Sequence, residues 1–193
     1  MLLPFVPAII ETPYIFHLWL KNVPEFSILF TRFLLIKKLI ELLFYPVSVS
    51  ITAHGNIKKF QIITSFFYFI SLFFVYYAFK IGYPVYSLYI VLLILEMGIA
   101  ITISFFAWRN FNFSVVKFFK QAIFKCLFIF LITFLASYIP IFIFQESFYR
   151  VLIVLTVSTT TILITSWLVS FDEDEKSLVK RNLMLLYNKI SKT

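Results

Sequence analysis

The sequence has little charge and few of the residues that interrupt regular structure. Only 13% of its 193 residues are charged, and it contains three glycines and one cysteine. Hydrophobic residues make up 62% of the chain and aromatic residues 21%, whereas soluble domains are roughly 45–50% apolar and about 25% charged. A water-soluble fold of this length could not cover so much apolar surface. The sequence therefore predicts a protein whose main solvent is lipid.

The residue patterns of common catalytic and metal sites are also missing. Cys126 is the one cysteine and can neither form an intramolecular disulfide nor build a metal site alone. His17 and His54 have no partners at ligand spacing, and the sequence has no phosphate-binding loop or nucleophile–histidine pair. We therefore predict no catalytic residues, no metal and no cofactor, and we interpret the protein as a non-enzyme.

The chain is predicted to be an all-α integral membrane protein with about five transmembrane helices. Its long apolar runs lack the alternation of strands, and a helix satisfies its own backbone hydrogen bonds in hydrocarbon. Glycine, proline and polar clusters separate these runs. Four of the predicted helices cover about 24–52, 57–79, 85–108 and 148–171. The remaining helix, fourth in chain order, begins after an N-cap at Ser114 and is bent or ended by Pro140.

The ends of the chain differ from this five-helix region, 24–172. The chain opens with an apolar stretch that Pro4, Pro7 and Pro13 interrupt and that is too short to span a bilayer. We expect residues 1–23 to be the end of a truncated helix and an outer turn. Residues 173–193 begin acidic and become basic. Their spaced apolar residues predict a short amphipathic helix on the cytoplasmic membrane surface (Val179, Leu183, Leu186 and Ile190).

Positive charge is concentrated in alternate connections between the predicted helices. Lys58 and Lys59 follow the first helix, whereas Lys80 alone follows the second. Further cations cluster after the third helix and in the tail (Arg109, Lys117, Lys120 and Lys125; Lys176, Lys180, Arg181, Lys189 and Lys192). Cytoplasmic loops are enriched in Lys and Arg, so we expect the C-terminus to be cytoplasmic. The net charge of +8 thus indicates membrane orientation, and with no nucleic-acid-binding motif we predict no nucleic-acid partner.

The first predicted helix is unusually polar for a transmembrane segment, since it carries Arg32, Lys37, Lys38 and Glu41. Each cation near a helix centre costs roughly 2.5–3.5 kcal/mol, which the apolar residues of this helix barely offset. Thr31, Lys38, Glu41, Tyr45, Ser48 and Thr52 fall on one helical face. Two interpretations stay open: an internal ion pair of Lys37 or Lys38 with Glu41, or a substrate-binding stripe of Arg32, Lys37, Lys38 and Glu41 along a water-filled cavity.

Glu96 is a second charged residue within an apolar run, near the middle of the third predicted helix. It is expected either to pair with Lys37 or Lys38 or to couple transport to a proton or cation. The pair is the favoured interpretation, because no second acidic residue lies near it in the sequence.

Short turn motifs resemble those of polysaccharide biosynthesis flippases, the O-antigen and capsule-type members of the multidrug/oligosaccharidyl-lipid/polysaccharide exporter superfamily. The stretch Tyr14-Ile-Phe-His-Leu-Trp-Leu-Lys-Asn-Val-Pro-Glu-Phe26 is similar to the junction of two of their helices. Thr52-Ala-His-Gly-Asn-Ile-Lys-Lys-Phe-Gln61 resembles their A-x-G-x-(I/T)-K-x-(Y/F)-Q turn, and Lys80-Ile-Gly-Tyr-Pro84 their next outer turn. The acidic and then basic tail is also similar, so the resemblance covers essentially the whole chain.

The resemblance implies a bacterial inner-membrane protein that forms the C-terminal part of a flippase with twelve to fourteen helices. Such flippases carry undecaprenyl-diphosphate-linked oligosaccharide across the bilayer by alternating access, and basic cavity residues hold the diphosphate. The partners implied are the lipid bilayer, the lipid-linked oligosaccharide and the missing N-terminal helices of the same transporter. No family motif covers Arg32, Lys37 or Lys38. We expect the chain to be inactive alone, since it would not enclose a two-lobed cavity.

Two other hypotheses remain. The chain could be a fragment of a membrane-embedded polysaccharide polymerase or glycosyl transferase, although the loops between its predicted helices are short for that role. It could also be a small membrane scaffold protein that depends on partner helices.

Overall fold

The computed structural model describes residues 4–53, 57–111 and 113–171, together with Glu173, Lys176, Ser177 and Arg181. All regular structure in these ranges is helical, which confirms the predicted fold class. The helices are α1 (Phe5–Ile10), α2 (Thr12–Trp19), α3 (Ser27–Ala53), α4 (Ile57–Ile81), α5 (Ser87–Phe111), α6 (Val115–Phe118), α7 (Phe124–Ile143) and α8 (Phe148–Thr165). A π-helical turn, Phe119–Ile123, joins α6 to α7, and a second, Ser166–Ser170, follows α8. The predicted amphipathic tail lies almost entirely outside the described residues.

Four helical segments of the described chain are long and apolar enough to cross a membrane, so the protein is a multi-pass membrane protein. They are Ile57–Ile81, Ser87–Asn110, Val115–Ile143 and Phe148–Ser170. Helix α3 has 27 residues, which at 1.5 Å per residue make about 40 Å. It therefore has the length of a membrane span, but its charged residues distinguish it from the other four.

The predicted helix boundaries differ from the observed ones by a few residues. Helix α7 ends at Ile143, so Pro140 lies in its last turn. Proline there removes a single backbone hydrogen bond, and the Phe144 N–H closes the helix by donating to the Pro140 carbonyl at 2.9 Å. Ser114 caps α6 as predicted, because its side chain accepts a hydrogen bond from the Lys117 N–H.

The N-terminal segment forms two short helices that meet at Glu11. Pro13 has no N–H to donate to the carbonyl of Ile9, so the helical hydrogen-bond pattern is interrupted at this point. Helix α1 is buried, since Val6 and Ile10 pack with Val154 of α8 in one apolar cluster. The segment Phe5–Ile10 is thus a helical element packed into the fold.

The remaining helices pack as two groups. Helix α5 contacts both α3 and α4, around a core that includes Phe44, Ile51 and Phe60. Helix α7 packs along α8, and α1 lies against both of them. Helix α1 also touches α3. Phe44 of α3 meets the ring of Phe118 in α6, the short helix that leads into α7. The two groups are therefore in contact.

Aromatic contacts establish which helix ends lie together. The ring centroids of Phe30 and Tyr89 are 4.7 Å apart, so α3 and α5 begin at the same end of the bundle. Those of Phe60 and Phe106 are 5.9 Å apart, so α4 begins where α5 ends. We call this second end the basic end, because most of the cations near the helix ends lie there (Lys58, Lys59, Arg109, Lys117 and Lys120).

Candidate functional site

Four charged residues meet where α3 passes α5, and we call them the charged centre: Lys37, Lys38, Glu41 and Glu96. The Lys37 ammonium lies 2.9 Å from a carboxylate oxygen of Glu96 and 3.9 Å from one of Glu41. The Lys38 ammonium lies 2.7 Å from Glu41. The structure therefore brings four of the five predicted site residues together. They form two ion pairs, Lys37 with Glu96 and Lys38 with Glu41, and the longer contact of Lys37 with Glu41 links the two pairs.

Helix geometry explains half of this arrangement. Residues three and four apart in a helix lie on one side of it, so Lys37 and Lys38 both reach Glu41 within α3. Glu96 comes from α5, which runs alongside α3 with its start at the same end. Ten residues separate Ser27 from Lys37 and nine separate Ser87 from Glu96, so both groups lie about 15 Å along their helices, near the middle of a bilayer.

The two ion pairs differ in burial. The side chain of Glu96 is 4% exposed and that of Lys37 18%, whereas Glu41 is 35% and Lys38 53% exposed. The Lys37 ammonium also lies 5.9 Å from the ring centroid of Tyr68 on α4, where an aromatic face attracts a cation. Lys37 and Glu96 thus form an internal link between α3, α4 and α5. Lys38 and Glu41 form an open pair on the surface of α3.

The formal charges of the charged centre cancel, since two ammonium groups face two carboxylates. An isolated charge is expensive at the centre of a bilayer, and embedded charges therefore pair with one another or face water. Glu96 satisfies this rule by burial with Lys37. Lys38 satisfies it only in part, because about half of its side chain has no protein cover.

The predicted polar stripe of α3 continues the open pair toward the basic end. Tyr45 is 54% exposed, and Ser48 and Thr52 are partly exposed. The hydroxyl of Thr52 donates to a carbonyl of its own helix, 2.7 Å away. The stripe from Tyr45 to Thr52 is therefore a partly open polar surface of α3.

Arg32 lies apart from the charged centre. It is six residues before Lys38, about 9 Å along α3, and its Nε–H donates to the carbonyl of Ile9 at 3.1 Å. That carbonyl also accepts a hydrogen bond from the Thr12 hydroxyl. Because Pro13 cannot donate to Ile9, Arg32 acts as the replacement donor, and it ties α3 to the break between α1 and α2.

A buried ion pair that the sequence analysis missed joins the break between α1 and α2 to the start of α8. Nε of Arg150 donates to Oε1 of Glu11 at 2.9 Å, and Nη2 donates to Oε2 at 2.8 Å. Glu11 is 0% and Arg150 6% exposed. Glu11 lies alone in an apolar stretch, but Arg150 has Glu146 four residues before it as a local partner. Glu11 and Arg150 are 139 positions apart, so no sequence spacing indicated that they would pair.

Neither metal ligands nor known relatives assign a function to this site. Among the described residues, no group of three or more His, Cys, Asp or Glu is placed to hold a metal ion. No protein-family model, curated protein or solved structure matches the chain.

Proposed function

We propose that this chain is the C-terminal part of a bacterial inner-membrane flippase that exports undecaprenyl-diphosphate-linked oligosaccharide for surface polysaccharide biosynthesis. The proposal rests on the resemblance of the turn motifs, and one structural observation supports it. The ion pair of Lys38 and Glu41 lies near the middle of a membrane-length helix with the lysine 53% exposed. A half-exposed ammonium at that depth requires a polar neighbour, such as a water-filled cavity or its anionic cargo.

Lys38 is the residue of the charged centre best placed to contact a diphosphate. Lys37 is held between Glu96 and Tyr68 and is mostly buried, and Arg32 is engaged with the Ile9 carbonyl. A phosphate that reaches Lys38 competes with Glu41 for its ammonium group. Glu41 already has Lys37 within 3.9 Å as a second partner, so it can keep an ion pair when Lys38 turns to the substrate.

The orientation is part of the proposal. We infer that the basic end faces the cytoplasm, because cytoplasmic loops are enriched in Lys and Arg. The charged centre then lies between the two leaflets. In a complete flippase, the exposed polar stripe of α3 would face the cavity between the two lobes, and the missing N-terminal helices would complete that cavity.

Exchanging the charges of the open pair tests the proposed role of Lys38. The double variant Lys38→Glu with Glu41→Lys keeps an ion pair at the same spacing but moves the ammonium group by almost one helical turn. The measurement is surface polysaccharide and accumulated lipid-linked oligosaccharide in cells whose native gene carries the exchange. We expect surface polysaccharide to fall at least about tenfold, as for the loss of a charge-assisted contact of about 1.5 kcal/mol or more, with lipid-linked precursor accumulating.

The matched control is the surface pair of Glu173 and Lys176, which has the same three-residue spacing at 3.1 Å. Exchanging these two charges should leave export unchanged. Normal export with Lys38 and Glu41 exchanged, at wild-type protein level, would assign them a purely structural role. If deletion of the gene changes neither surface polysaccharide nor its precursors, the flippase proposal is wrong.

A further inference from the structure

An open groove of about 1000 Å³ lies between α3, α5 and the segment that runs from α6 through the π-helical turn Phe119–Ile123 into the start of α7. Its described lining is apolar except for Ser104 and Lys120. Ligand sites in proteins typically measure roughly 300–1,000 Å³, so this groove is large enough for a long hydrocarbon chain.

The groove opens sideways from the helix bundle. Its rim carries Ile101, Phe124 and Leu127, which are 71%, 69% and 53% exposed. These residues belong to segments that span the membrane, so the apolar opening faces bilayer hydrocarbon. Phe44 and Ala100 are buried and form part of its inner wall.

The groove runs along the membrane normal and carries its charge at one end. Met97 and Ser104 of α5 both line it and are seven residues apart, a rise of about 10 Å. Met97 follows the buried Glu96, whereas Ser104 and Lys120 lie toward the basic end. The lining therefore extends from near the middle of the membrane to the membrane surface at the basic end. Lys120, the charged residue among the lining residues that the structure describes, lies at that surface end.

The local sequence favours an anionic group at that end. No Asp or Glu occurs between residues 97 and 145, a stretch that holds Arg109, Lys117, Lys120 and Lys125. Basic residues at a membrane surface attract anionic lipid headgroups. Lys120 also lies in the π-helical turn Phe119–Ile123, and such turns are frequent at functional sites.

We propose that this groove binds one acyl chain of an anionic phospholipid, with the lipid phosphate against Lys120. An amphiphile with one anionic end matches both parts of the groove, since its hydrocarbon fills the apolar length and its phosphate pairs with the lysine. The surrounding bilayer supplies such a lipid directly. The inference stands on the groove alone and does not depend on the proposed flippase function.

Retention of lipid by the purified full chain tests this proposal. The chain is equilibrated in nanodiscs of equal parts phosphatidylglycerol and phosphatidylcholine, extracted in mild detergent and examined by native mass spectrometry. We expect one retained phosphatidylglycerol per wild-type chain. Lys120→Gln should lower the retained ratio of phosphatidylglycerol to phosphatidylcholine roughly fivefold, the change that about 1 kcal/mol per surface lysine represents. Lys59→Gln, an exposed lysine at the same end but outside the groove, should leave the ratio unchanged.

A second variant tests the apolar part of the site. Ser104→Phe places a ring in the groove and should abolish the retained lipid, whereas Ile94→Phe on the lipid-facing side of α5 should not. Circular dichroism and gel filtration verify that the variants fold. If Ser104→Phe does not fold, the effect of Lys120→Gln on lipid retention decides whether the proposal holds. Equal effects of Lys120→Gln and Lys59→Gln would overturn the proposal. So would a wild-type chain that retains no lipid, which is the result expected if a protein helix covers the groove.

Discussion

Replacing either partner of the buried ion pair between Glu11 and Arg150 should destabilise the fold strongly, and the loss should differ between the two replacements. Each residue is almost fully buried, and the two side chains share two hydrogen bonds of 2.9 and 2.8 Å. Removing one partner of such a pair leaves an uncompensated buried charge, which typically costs about 3–5 kcal/mol.

The surroundings of the pair determine which single substitution costs more. Nη2 of Arg150 lies 3.9 Å from Glu146, whose side chain is 56% exposed. In Glu11→Leu, Arg150 can therefore turn toward Glu146 and remain partly compensated. In Arg150→Met, Glu11 has no second cation within ion-pair distance among the described residues. We expect a loss near 3 kcal/mol for Glu11→Leu and near 5 kcal/mol for Arg150→Met.

The free energy of unfolding in mixed micelles, followed by helical circular dichroism as dodecyl sulfate is increased, measures these losses. The double variant Glu11→Leu with Arg150→Met should be close to wild type, because an apolar pair of similar volume can replace a buried ion pair. Glu146→Gln is the control and should cost less than about 1 kcal/mol, as exposed pairs do. A double variant as unstable as the sum of its singles, or a greater loss for Glu11→Leu than for Arg150→Met, would refute this reasoning.

Two further predictions concern packing and orientation. Gly98→Ala should cost about 1–2 kcal/mol in the same unfolding assay, because its new Cβ would lie 2.8 Å from the ring of Phe67. The better helix propensity of alanine offsets only part of that clash. The loss should disappear when Phe67→Leu is added, and its persistence would exclude the clash as the cause. In a Cys126→Ala background, an impermeant maleimide added to intact cells should label Tyr83→Cys and not Lys58→Cys, and the reverse pattern would contradict the inferred orientation.

The spans could be predicted from the sequence because lipid imposes a single constraint. Each apolar run must be helical to satisfy its backbone, and the runs are punctuated by Gly82 and by the polar stretch around Arg109. The contact of Lys38 with Glu41 was likewise a prediction from helix periodicity alone, since both lie on one helix. These features depend only on local spacing.

Features that depend on how helices rotate against one another could not be predicted in this way. The sequence left Lys37 and Lys38 as equal candidates for Glu96, because the packing of α3 on α5 determines which lysine faces the carboxylate. The structure pairs Glu96 with Lys37. The ion pair of Glu11 and Arg150 depends on α1 packing between α3, α7 and α8, and no local pattern around Glu11 indicates that contact.

Helix α3 separates the two proposed binding surfaces, and their angular positions make them independent. Successive residues of a helix are about 100° apart, so Ile40, which lines the groove, lies about 200° around α3 from Lys38. Tyr45, seven residues after Lys38, returns to within about 20° of it. The open pair and the stripe thus face away from the groove. Exchanging Lys38 and Glu41 should leave phosphatidylglycerol retention unchanged, and a drop in retention would mean that the two surfaces share one ligand.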